Sequence, residues 1–235
     1  MSELFNAVFY QPILAALVFI YDRLAFGDLG LAIVLLTVGV RIVLFPIFYK
    51  GAKDQTIVQR LQPEIKKIQK EHKDNKEKQV QAILALYREH RFNPLSSFFL
   101  IVVQLPVFIA LFQIFSKEIV AETFANRSFL GLINLGEKSF VVVAVAALLQ
   151  YWQGKLSLSL GRETAGGLNR FASTSKMMVL LGPLFTFMIF ANLPSALGLY
   201  FAVSNVFSII QPGFINKKLN SQNHGKNNSK TENNY

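Results

Sequence analysis

Residues 30–49 carry one formal charge over the length a helix needs to cross a hydrocarbon core of about 30 Å. Comparable apolar runs recur at 97–115, 139–153, 177–192 and 195–215. A backbone in lipid must satisfy its own N–H and C=O groups, so such runs are expected as helices. The expected fold is therefore all-α, a polytopic membrane protein with five transmembrane helices. The third run is the shortest, and 129–135 is a candidate extension of it. Gln150, Trp152 and Gln153 close that run, and Trp152 suits an interfacial aromatic belt.

Between the first two runs the chain changes character. Residues 50–96 hold eleven Lys or Arg and six Asp or Glu, with no apolar run long enough to span. Ile57, Leu61, Ile65 and Ile68 form one helical stripe, and Val80, Ile83, Leu84 and Tyr87 another. Joined through Lys73-Asp74-Asn75-Lys76, the two helices are expected to fold back as an antiparallel hairpin, mobile because its stripes bury little surface. Asn93-Pro94 ends it. Residues 116–138 and 154–175 read as loops, the latter with four glycines, and Asn192-Leu193-Pro194-Ser195 as a tight turn.

The ends differ from the middle. Residues 1–28 are expected to form an interfacial amphipathic amino-terminal helix, because Asn6, Gln11 and Pro12 interrupt the apolar stretch 4–21; a sixth crossing is the alternative. No basic residue precedes that stretch, so no signal peptide is expected. Residues 29–215 make up the five-span core including the hairpin at 50–96, and 216–235 a disordered basic tail.

With 52% hydrophobic and 16% charged residues, the chain has too little polar surface for a soluble domain of 235 residues. The 24 Lys and Arg against 14 Asp and Glu give a net charge of +10, concentrated between the apolar runs, which suits anionic lipid better than nucleic acid. Segments 50–96, 154–176 and 216–235 hold eleven, four and four Lys or Arg, against Arg23, Lys117, Arg127 and Lys138 on the other side. The positive-inside rule then places the hairpin and the carboxyl terminus in the cytoplasm, and an odd number of spans puts the amino terminus outside. The chain has no cysteine, and His72, His90 and His224 lack ligand spacing, so no disulfide, metal or other cofactor is expected.

Arg41 is the one formal charge well inside a span, about nine residues or ~13 Å of helix rise from Lys50. Arg at a span centre costs roughly 2.5–3.5 kcal/mol on insertion scales, which points to a wet cavity, a partner or a function. The bland reading is an arginine tied to helix carbonyls for packing alone. Thr37 lies one turn earlier on the same face, and Tyr200, Ser204, Ser208 and Gln211 recur as a polar stripe on the fifth span. Gln104 and Gln150 add amides on two more. Each alone reads as interhelical glue, and together they read as a hydrophilic recess around Arg41. No acidic pair, Ser-His-Asp set, phosphate-binding glycine loop or metal motif accompanies them, so an enzyme is not expected.

Five segments carry a resemblance: Val38-Gly39-Val40-Arg41 with Leu44-Phe45-Pro46, Leu61-Gln62-Pro63-Glu64-Ile65, Asn93-Pro94-Leu95, Gln104-Leu105-Pro106-Val107-Phe108, and Leu199-Tyr200 with Val203-Ser204-Asn205. In order and spacing they resemble the YidC/Oxa/Alb family of membrane protein insertases, in its short bacterial form, over roughly residues 4–217. The resemblance implies a five-span core with an interfacial amino-terminal helix and a cytoplasmic hairpin, and a hydrophilic groove open to cytoplasm and lipid. It maps the family's groove arginine onto Arg41 and a neighbouring threonine onto Thr37. The large extracytoplasmic domain of many members and the lipoprotein cysteine of others are not seen, and Phe201 stands where other members often carry Tyr or Trp. The expected function is insertion and chaperoning of membrane proteins in the bacterial plasma membrane. Nascent membrane proteins and the lipid bilayer are the expected partners, with the Sec translocon and the ribosome as further candidates. The alternative is a small-ion or anion transporter using Arg41.

Overall fold

A computed structural model describes residues 3–90, 92, 95–116, 123–159, 170–211 and 213. The chain is mostly helical. Helix α1 is Glu3–Arg23, α2 Leu29–Val43, α3 Phe45–Glu71, α4 Lys76–Glu89 and α5 Leu95–Ser116. Strands β1 (Ser128–Phe129) and β2 (Ile133–Asn134) pair antiparallel, and α6 (Phe140–Ser159), α7 (Arg170–Phe190) and α8 (Ser195–Gln211) follow. In α1 the Gln11 N–H donates to the Asn6 carbonyl five residues back, and this wider π turn makes room for Pro12, which has no N–H to give.

By length and composition α1 and the Phe140–Ser157 part of α6 suffice to cross a membrane. Leu29–Val43 and Phe45–Gly51 pass together as one apolar pair bent by 61°. Val102–Ser116, Val179–Phe190 and Ser195–Gln211 are apolar but shorter. The span expected at 30–49 is therefore a bent one. Pro46 stands in the first turn of α3 and cannot donate to a carbonyl of α2, so the helix axis turns at Leu44. From there α3 runs unbroken to Glu71, and the boundary expected at residue 50 falls inside it.

Two further expectations are corrected. Residues 129–135 do not lengthen the third span, because Phe129 and Ile133 pair across a tight turn. The loop expected at 154–175 is entered from both ends, by α6 up to Ser159 and by α7 from Arg170. Residues 160–169, Asn93-Pro94 and the tail 216–235 lie outside the described residues.

The main core joins Leu17 and Tyr21 of α1, Ala32, Ile33 and Leu36 of α2, Val107, Leu111 and Ile114 of α5, Val143 of α6, and Leu197 and Tyr200 of α8. Residues 124–138 cap one end of it. Phe124 and Leu135 are fully buried, and the Phe124 ring meets Tyr21 edge-on at 4.9 Å. Helix starts leave backbone donors orphaned, and the cap answers those of α8: Ser195 N donates to the Glu137 carbonyl (2.8 Å) and Ala196 N to that of Leu135 (3.1 Å). Asp28 caps α2 through Oδ1, which accepts from Leu31 N (2.8 Å), while its Oδ2 accepts from Leu130 N (2.7 Å). Gly30 lets the cap come this close, since a Cβ there would collide with the Phe129 ring.

Helices α3 and α4 have a core of their own. Leu61 and Ile65 pack on Ile83, Leu86, Tyr87 and Phe92, with Ile57 and Ile68 beside them. The α4 stripe differs from expectation: Val80 and Leu84 are 45% and 41% exposed, and Leu86 takes the buried place. Gln79 joins that face, its Nε2 donating to the Gln69 carbonyl at 3.1 Å. Lys66, Lys67, Lys70 and Lys73 cover the outside.

Candidate functional site

Arg41 occupies the last turn of α2, where a cation is favoured by the helix dipole, yet it is only 9% exposed. Its Nη2 donates to the Ser204 carbonyl (3.0 Å) and to Ser208 Oγ (3.3 Å) on α8. Ser208 Oγ donates in turn to the same Ser204 carbonyl at 2.9 Å, one helical turn back. The carbonyl thus takes two donors, and the serine hydroxyl is oriented with its lone pairs toward the guanidinium. On the other side the Phe48 ring lies 4.8 Å from Arg41 Cζ, a cation–π contact. Among the described residues no carboxylate reaches Arg41. The charge is held by neutral groups.

The remaining candidates divide. Thr37 is buried one turn before Arg41, but its Oγ1 donates to the Ile33 carbonyl at 2.6 Å, within its own helix. Gln104 of α5 donates through Nε2 to the Tyr200 hydroxyl. Tyr200 precedes Ser204 by one turn, so the polar stripe of α8 meets α5 at Tyr200 and α2 at Ser204 and Ser208. Gln150 is not brought to these residues. It faces α7, where its Nε2 lies 3.5 Å from where a Gly182 Cβ would stand, and its buried Oε1 has no partner among the described residues.

Phe48 is not foreseen from the sequence. Its only signals are Pro46, which redirects the helix, and a spacing of seven from Arg41. Asn205, beside the site on α8, donates to the Ala146 carbonyl of α6 at 3.2 Å and serves as interhelical glue. The arrangement can hold a positive charge and offer it, with the polar side chains beside it, to an anionic or polar group; it contains no nucleophile–base pair.

The profile of the 60Kd inner membrane protein family matches residues 20–223. Among curated relatives, a protein of Geotalea uraniireducens named membrane protein insertase YidC is 32% identical over 215 residues, covering 90% of this chain and 38% of the relative. Proteins of the same name from Geobacter metallireducens and Nitratidesulfovibrio vulgaris are 31% and 30% identical, covering 91% and 88% of this chain and 38% of each relative. The chain therefore spans well under half the length of the curated relatives it matches.

Proposed function

Because the chain belongs to the 60Kd inner membrane protein family, that of YidC, Oxa and Alb, we propose that it inserts and chaperones other membrane proteins in a bacterial cell membrane. One observation carries this reading: a buried arginine held by a serine carbonyl, a serine hydroxyl and an aromatic face, with no carboxylate reaching it among the described residues. A cation so held keeps its attraction for an incoming acidic or polar segment. Arg41, Thr37, Gln104, Tyr200 and Ser204 line the recess in this reading, with Ser208 and Phe48 added, while Gln150 faces α7 instead.

The transmembrane core comprises α2 with the first turns of α3, together with α5, α6, α7 and α8, giving five spans. Helix α1 lies along the interface. The α3–α4 pair and the carboxyl terminus face the cytoplasm, supported by the Lys and Arg count on that side. The cap at 124–138 closes the outer end of the core, and Arg41 stands twelve residues, or about 18 Å of helix rise, from the capped start of α2. A recess at that depth opens to cytoplasm and lipid. The polar part of a nascent segment rests in it while the apolar part passes into lipid, so the segment avoids the cost of crossing hydrocarbon unsolvated. No covalent step and no cofactor are involved. Nascent membrane proteins are the clients, and the Sec translocon and the ribosome are partners of the same reaction.

Purified protein in liposomes tests the reading. Stimulated insertion of a short membrane protein without small-ion flux supports it. Anion flux without insertion supports transport through Arg41 instead.

A further inference from the structure

Two residues besides glycine adopt left-handed backbone among the described residues, Phe26 (φ 52°) and Leu130 (φ 51°), and each precedes a glycine with positive φ, Gly27 and Gly131. Bulky side chains are uncommon there, because Cβ crowds the backbone, and such strain persists only where the surroundings impose it or a function uses it. Local turns impose the backbone here: Gly27 N donates to the Tyr21 carbonyl six residues back at the end of α1 (3.1 Å), and Leu132 N to the Phe129 carbonyl across the hairpin (3.0 Å). What the turns do not require is a bulky apolar side chain at either position, and burial does not supply the reason. Phe26 is 93% exposed and Leu130 is exposed, as are Leu24 and, at 84%, Leu132. The two turns also lie side by side, since Asp28 Oδ2 accepts from Leu130 N and Phe129 packs over Gly30. One end of the core thus carries apolar tips that nothing among the described residues covers.

We propose that these paired turns anchor the capped end of the protein in the lipid interface, with Phe26 and Leu132 inserted among the upper acyl chains. The proposal rests on the reading of α2 as a membrane helix. Continuity with α2 identifies the occupant: Phe26 and Leu130 flank the residues that begin it, so both tips stand at the depth where that helix meets headgroups. Charge favours the apolar interior of the interface over anionic headgroups. Among the described residues around the tips, exposed Arg23, Arg127 and Lys138 are balanced by exposed Asp22 and Glu137 and half-buried Asp28. Anchoring is therefore independent of anionic lipid, unlike the binding of a polybasic segment.

Trp152 is the only tryptophan, so Trp152→Phe gives a silent background for single probes. Phe26→Trp, Leu132→Trp, Leu148→Trp on the exposed face of α6, and Lys73→Trp as a water reference are each reconstituted as full chains in vesicles of zwitterionic lipid, brominated at defined acyl positions. We expect the probes at 26 and 132 to emit at shorter wavelength than that at 73. They should be quenched most by bromines near the ester and be at least threefold less accessible to iodide, with the same result when anionic lipid is added. Iodide quenching at 26 and 132 equal to that at 73, with lipid quenching retained at 148, overturns the anchor while the membrane reading stands. Loss of lipid quenching at 148 overturns both. Protection that disappears at one copy per vesicle assigns the tips to a second copy of the chain and also overturns the proposal. Nitroxides on Phe26→Cys and Leu132→Cys, read by oxygen against aqueous nickel accessibility, decide the matter where a tryptophan disturbs the turn.

Discussion

The Arg41 guanidinium and the Phe48 ring face each other across a 61° bend, 4.8 Å apart, although a straight helix would carry them away from each other along one rod. Charge and shape at this contact are separable. Arg41→Lys keeps the cation and should retain substantial insertion activity, although the planar fork is lost. Arg41→Ala should reduce insertion of clients with acidic translocated segments by roughly ten- to a hundredfold, as ~1.5–3 kcal/mol of charge-assisted hydrogen bonding implies. Clients with neutral segments should be spared. Pulse labelling of both client types at matched protein abundance checks this, and a uniform loss that tracks abundance would assign Arg41 to packing alone.

The cap depends on a missing methyl group. Gly30→Ala puts a Cβ into the Phe129 ring and should lower stability by about 1–3 kcal/mol, the usual cost of overpacking. Phe129→Ala in the same chain should recover most of that loss. Thermal unfolding in detergent of the two single variants and the double variant measures the coupling, and strictly additive losses contradict the contact.

The α3–α4 pair should loosen independently of the bundle. Leu61→Ala or Ile65→Ala should cost about 2–5 kcal/mol locally, whereas Val80→Ser and Leu84→Ser, on the exposed side, should stay within about 0.5 kcal/mol. Hydrogen exchange over residues 57–90 reads the difference, with residues 102–116 as the internal reference. Insertion should survive removal of the tip at 73–78 and fail when the whole segment 53–91 is deleted.

Alkaline pH should loosen the same pair. Burial raises the Tyr87 phenol above its ordinary pKa of 10.0, so the folded pair holds the proton more tightly than the unfolded chain. That contribution is fully present below pH 10.0 and is lost as pH rises through the folded value. Tyr87→Phe should remove the part of the alkaline loss that phenol causes, leaving the lysine part. Exchange rates of residues 57–90 at pH 8 and above pH 10.0, compared in the two proteins, test this.

Topology is accessible because the chain has no cysteine. Single cysteines at Lys73, Ser128 and Asn227 should label from opposite sides, with Ser128 alone reached from outside. A fourth at Leu4 separates an interfacial α1, which leaves it outside, from a crossing α1, which brings it to the side of Lys73. Labelling of Lys73 and Ser128 from one side would refute five spans.

Arg41 and the α8 stripe were legible in the sequence because a charge in an apolar run and a four-residue polar repeat are properties of single segments. What single segments cannot specify is the partner. Gln150 looked like a member of the recess because a polar side chain in a span needs a neighbour, but its sequence does not say that the neighbour is α7. The bend at Leu44 was obscured for a different reason: apolarity over 30–49 is continuous and has no direction, and Pro46 alone marks the turn. On α4 two interleaved stripes fit the same residues. The crossing with α3 selected Ile83, Leu86 and Tyr87 over Val80 and Leu84. The run at 129–135 is apolar enough for a span end, and only the pairing of Phe129 with Ile133 makes it a turn.

The unbroken course of α3 makes it a lever with a short arm and a long one. Its fulcrum is the bend at Leu44, its far end Glu71, about 40 Å out at 1.5 Å per residue, and Phe48 rides about 6 Å from the fulcrum. Swinging the tip by about 4 Å therefore displaces Phe48 by roughly 0.6 Å along the same arc. Motion of the tip thus reaches the ring against Arg41 at a reduction of about seven to one, a coarse displacement at one end becoming a fine one at the other.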